Sequence, residues 1–108
     1  MRPVEIGRMD TPYGVGSIYR SAYQDNDAIA IVVADPVTHE RYAVLSVNLP
    51  ESQAALKPGE FFAKTWSENA QIAEMALATG LFEDTGRRVP TGYVEAQVWK
   101  LRDGEATS

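Results

Sequence analysis

Cysteine is absent from this chain, and histidine occurs once, at His39. The first absence excludes disulfides, thiolate metal sites and cysteine nucleophiles together. The second leaves any zinc site to carboxylates almost alone, a rare ligand set, so no metal and no cofactor is expected. Long apolar runs are also missing. None approaches the roughly 20 residues that a membrane-spanning helix needs, and no membrane partner is expected. Basic residues are outnumbered 10 to 15 by acids, for a net charge of −5. That balance speaks against a general phosphate-binding surface and against direct nucleic-acid binding. The opening MRPVEIGRMD carries charge where an export signal would be apolar, which fits a cytoplasmic location.

What the chain does have is ordinary globular composition. At 108 residues, 44% hydrophobic and 23% charged, it has room for one domain, residues 1–108, with one modest core. Residues 102–108 read as a frayed tail. No repeat or low-complexity tract interrupts the rest.

The first half reads as strands between turns. Tyr13–Tyr23 is aromatic and β-branched, with a bulge or bend expected near Gly14 and Gly16. Gln24–Asp27 is a turn. Ala28–Ala34 is apolar without alternation, as in a strand covered on both faces. Asp35–Glu40 is a second turn, with Pro36 at its favoured position. Arg41–Leu49 alternates, placing Ala43, Leu45, Val47 and Leu49 on one face. Such short connections imply an antiparallel meander.

Pro50–Glu60 reads as a polar loop or short irregular helix, and Phe61–Trp66 as a strand. The clearest element is a helix over Glu68–Thr79. Ser67 is its expected N-cap, Glu68 suits its dipole, and Gly80 supplies a left-handed stop. Ile72, Met75, Ala76 and Thr79 make its apolar stripe. Phe82–Pro90 reads as a charged loop before a final strand, Thr91–Leu101. On that strand Val94, Ala96 and Val98 are expected under the helix. Tyr93 and Trp99 fall on the other, wetter side, although both Trp66 and Trp99 as core residues remains open. The predicted fold class is α+β: a mostly antiparallel sheet of about five strands with one amphipathic helix packed on one face.

Catalytic constellations are scarce. His39 falls in a turn, and no serine has a nucleophile context, so no triad is expected. Asp25-Asn26-Asp27 lacks the rest of a calcium loop, and Gly14-Val15-Gly16 lacks the rest of a dinucleotide fingerprint. Glu83 and Asp84 sit close to Arg87 and Arg88, which reads either as a salt-bridged turn or as a charged rim beside Tyr93 and Trp99. Arg, Tyr and Trp are the residue types that most often anchor protein interfaces. Glu83, Asp84, Arg87, Arg88, Tyr93 and Trp99 are therefore the candidate protein-binding residues.

Leu49-Pro50, the run GEFFAKTWSEN at Gly59–Asn69 and the run GLFEDTGRRVPTGYVEAQVWKL at Gly80–Leu101 together resemble a family of small uncharacterised proteins carried by phages, plasmids and conjugative elements. The resemblance covers about half of the chain. It implies a mobile-element context and brings no reaction or cofactor with it. A small acidic protein of that kind is expected to be non-enzymatic and to bind a host or element protein complex. The leading expectation is an anti-CRISPR or anti-restriction inhibitor that blocks sterically. The alternative is a nucleic-acid-binding accessory protein of the element. Open sheet edges would also leave room for a homodimer.

Overall fold

The computed structural model describes residues 3–102. Among them, eight strands form two antiparallel sheets of four. The first holds β1 (Val4–Thr11), β2 (Gly14–Ala22), β3 (Ile29–Ala34) and β4 (Arg41–Val44), paired in chain order. The second holds β5 (Ser46–Val47), β6 (Glu60–Ala63), β7 (Phe82–Thr91) and β8 (Val94–Leu101), in the spatial order β5-β6-β8-β7. The helix α1 (Ala70–Ala78) follows a 3-10 turn at Ser67–Asn69, and a longer 3-10 segment spans Pro50–Ala55. The fold is thus α+β with two sheets, which corrects the expected single sheet of about five strands.

Three local features account for the difference. β1 was not legible as a strand because a bulge between Glu5 and Gly7 breaks its alternation. The expected strand at Arg41–Leu49 is divided at Leu45, where the chain passes from one sheet to the other. The Leu45 N–H donates to the Ile31 carbonyl at 2.9 Å, and its own carbonyl accepts from the Lys64 N–H at 2.7 Å. The expected charged loop at Phe82–Pro90 is the edge strand β7. Charge, a proline and a bulge are what protect an exposed edge from pairing with other chains, and they are also what makes it look like a loop.

The turns follow their side chains. Asp35 Oδ1 accepts the N–H groups of Val37 and Thr38, both at 2.8 Å, and Oδ2 accepts the Tyr42 hydroxyl at 2.8 Å. Helix α1 ends as expected, with Gly80 at φ +78°. Its start differs. Ser67 stands at φ +56° and makes no side-chain cap. Asn69 is the buried polar residue there, and its Nδ2 donates to the carbonyls of Val44 (2.6 Å) and Lys64 (3.2 Å). The entry to the helix is therefore fixed by a tie to the sheets.

One buried cluster takes Ile18, Ile31, Val33 and Leu45 from the first half, Phe61, Phe82 and Trp99 from the second sheet, and Ile72, Ala73 and Ala76 from the helix. Helix α1 lies against both β1 and β7. A smaller cluster, Phe62, Ala96 and Val98, occupies the opposite face of the second sheet, under Leu49, Leu56 and Trp66. The aliphatic side of β8 thus packs away from the helix, and the aromatic side packs beneath it, the reverse of the expectation. Volume decides: the rings of Phe61, Phe82 and Trp99, with centroids 5.7–6.1 Å apart, fill space that small aliphatics could not. The Arg102 N–H donates to the Leu81 carbonyl at 2.9 Å. Residues 103–108 of the expected tail lie outside the described residues.

Candidate functional site

The candidate charged residues are arranged by the bulge in β7. Between Asp84, opposite Trp99, and Arg88, opposite Gln97, the register shifts. Thr85 Oγ1 donates to the Val98 carbonyl at 2.7 Å, and the Gly86 N–H donates to Asp84 Oδ1 at 3.0 Å. The detour sends consecutive arginines to different partners. Arg88 makes a two-pronged pair with Asp84, both contacts at 3.0 Å. Burial pushes the Asp84 carboxyl up, but the Arg88 guanidinium and the Gly86 N–H outweigh it and hold the group below its ordinary value.

Arg87 leaves this group altogether. It pairs with Glu60, and its Nη1 donates to the Ala55 carbonyl at 2.6 Å. Glu60 is only 7% exposed and also accepts the Lys57 N–H at 2.8 Å. Burial raises its carboxyl, yet Arg87 and Lys57 together leave it lowered. This contact ties β7 to the segment that covers the second sheet, which is a structural task. Glu83 lies 3.9 Å from Arg102, both half exposed.

Of the six candidate residues, the structure brings Asp84 and Arg88 together and separates Arg87 and Glu83 from them. Trp99 is 0% exposed, and its Nε1 donates to Gln97 Oε1 at 2.8 Å. As an anchor on the surface it is therefore corrected to a core residue. Tyr93 is the opposite, at 107% exposure. It sits in the two-residue turn between β7 and β8, after Gly92 at φ +64°. Glycine at the first central position is the usual chemistry of a tight hairpin turn. Arg88, Pro90 and Glu95 are exposed along the same face of the hairpin, down to half-buried Gln97.

A second surface was missed in the sequence. On the face of the first sheet away from the main core, cross-strand register sets Arg8, Ser17, Ala34 and Arg41 in one row and Glu5, Tyr19 and Val32 in the next. A groove of about 510 Å³ runs over Tyr19, Ser21, Val32, Ala34, His39 and Arg41. The Tyr19 and His39 rings lie 6.3 Å apart, tilted 31°. The signal for this site was Tyr19, on the opposite face of β2 from Ile18. His39 lies in the expected Asp35–Glu40 turn, but a turn residue's neighbours across the sheet depend on register, which the sequence does not state.

Among the described residues no group of three or more His, Asp or Glu side chains could hold a metal ion, and no helix is long and apolar enough to cross a membrane. These features define a two-sheet α+β domain whose polar and aromatic side chains are displayed on open surfaces. Comparison of the chain with protein-family models, with curated proteins and with solved structures finds no match in any of the three.

Proposed function

We propose that this chain acts without chemistry of its own, by binding another protein through the β7–β8 hairpin. Arg88 and Tyr93 are the anchors, and Asp84 positions Arg88. The observation that carries this reading is Tyr93, wholly exposed at the tip of a hairpin whose conformation is fixed by a bulge and a two-pronged ion pair. A rigid aromatic loses little conformational freedom when a partner covers it, and Tyr and Arg are the residue types that dominate interface energetics. Given the mobile-element resemblance of Leu49–Leu101, the partner we favour is a host defence complex of CRISPR or restriction type, inhibited by steric blocking. The chain's mild acidity is too dispersed to imitate a DNA phosphate track.

The test is a cleavage assay with purified CRISPR-type and restriction-type nuclease complexes. Stoichiometric inhibition is expected, and Arg88→Glu with Tyr93→Ala should abolish it while leaving the melting temperature nearly unchanged. Cleavage unaffected by the chain across such complexes, or inhibition equal in the double variant, would overturn the reading.

A further inference from the structure

We infer that the open face of the first sheet binds a nucleotide unit, its base stacked in the Tyr19–His39 corner and its phosphate on Arg41. The groove, at about 510 Å³, is within the ~300–1,000 Å³ range of small-ligand sites. None of the residues lining it is acidic, in a protein whose net charge is −5. Glu5, opposite Tyr19 on that face, is taken up by Arg8 at 3.0 Å and by the Ser17 hydroxyl at 3.1 Å.

Arg41 is different from the other arginine in its row. Arg8 is engaged by Glu5, whereas Arg41 makes no ion pair or side-chain hydrogen bond among the described residues. It stands opposite Ala34, and Ala34 stands opposite Ser17. Ser17 is wholly buried, and the groove reaches only Ala34 and Arg41 of this row. A planar five-donor group in that position matches phosphate oxygens in two-pronged fashion.

His39 supplies an independent argument. It closes the β3–β4 turn at φ +65°, in the left-handed region, with its N–H donating to the Asp35 carbonyl at 2.9 Å. Glycine would adopt that backbone with less strain, so the turn itself does not call for an imidazole. What the imidazole adds is a second aromatic face beside Tyr19. Two ring faces and an uncommitted guanidinium in one groove fit a ligand that joins a planar heterocycle to an anion. A free carboxylate or phosphate would leave the rings unused. Base stacking on aromatic side chains tolerates any base, so the site is not expected to discriminate among them strongly.

The ligand could arrive as a free nucleotide or as part of a single strand, and the experiment separates these. Amide chemical shifts of the labelled chain would be followed on titration with adenosine monophosphate and, separately, with a short oligothymidylate. Shifts are expected at Tyr19, Val32, Ala34, His39 and Arg41. Arg41→Ala and Tyr19→Leu should each weaken binding roughly tenfold, as expected for one charge-assisted contact or one stacked base. His39→Gly should raise the melting temperature and still weaken binding. Equal affinity for both probes identifies the free nucleotide. Tighter binding of the oligonucleotide, falling with salt, identifies the strand. No shifts with either probe, unchanged affinity in Arg41→Ala, or a lower melting temperature in His39→Gly would overturn the inference. Asp84, Arg88 and Tyr93 are not part of this groove, so its failure leaves the hairpin reading intact.

Discussion

The outward faces of the two sheets meet different fates. In the second sheet, Phe62, Ala96 and Val98 point away from the helix and are buried all the same, because Leu49 and Leu56 of the intervening segment fold back across them. In the first sheet, Tyr19, Ser21 and Val32 stay half open and Arg41 is exposed. Both sheets are antiparallel and four strands wide, so topology does not explain the contrast. The covering segment does: Arg87 grips it through Ala55 and Glu60, while the first sheet has no comparable strap among the described residues.

The largest expected effect tests that contrast directly. Phe62→Ala should cost about 3–5 kcal/mol in denaturant unfolding, as large-to-small changes in a packed core do. Tyr19→Ala, on the bare face, should cost about 1 kcal/mol or less. Comparable losses at the two positions would mean that the first sheet's outer face is structural after all.

The strap comes next. Arg87→Ala leaves the Glu60 carboxylate buried without its ion-pair partner, and a loss of about 2–3 kcal/mol is expected. That is below the cost of breaking a fully buried pair, because the Arg87 side chain is 38% exposed. Adding Glu60→Gln should recover part of the loss, since an uncharged side chain does not need the guanidinium. A double variant no more stable than Arg87→Ala would place the effect in the lost Ala55 contact instead.

The smallest effect concerns the β3–β4 turn. The N–H groups of Thr38 and Val37, with the Tyr42 hydroxyl, pull the Asp35 carboxyl from its ordinary 3.8 to about 2. A carboxyl lowered in the folded state stabilises it fully above the unfolded value and loses that contribution as pH falls through the folded one. Stability should therefore decline between pH 3.8 and about 2, and Asp35→Asn should flatten that part of the profile. An acid limb identical to that of the parent would show that the carboxylate does not hold the turn.

Much of the fold was legible where local signals agreed. Ala28–Ala34 was legible as a strand from its unbroken apolar run, although the expected cover on both faces is corrected by half-open Val32, and Asp35-Pro36 and Gly80 marked a turn and a helix stop that the structure contains. The failures have a common cause. Whether Trp99 or Val98 faces the helix, whether Arg87 meets Asp84 or Glu60, and what lies across from Tyr19 are all questions of which strand is next door. Strand neighbours depend on long-range pairing, and alternation along one strand is silent about it. The charged edge strand β7 was missed for a related reason: residues that guard an edge are chosen for what they repel, so they lack the pattern of a strand that packs.

Leu45 has a further consequence for how this protein can be divided. Its peptide groups serve both sheets, one through Ile31 and the other through Lys64. Cutting the gene there would strip each half of a neighbour and leave raw hydrogen-bonding edges on both products. The two sheets are therefore not separable at this point, and a chain divided at Leu45 is not expected to fold as two independent halves.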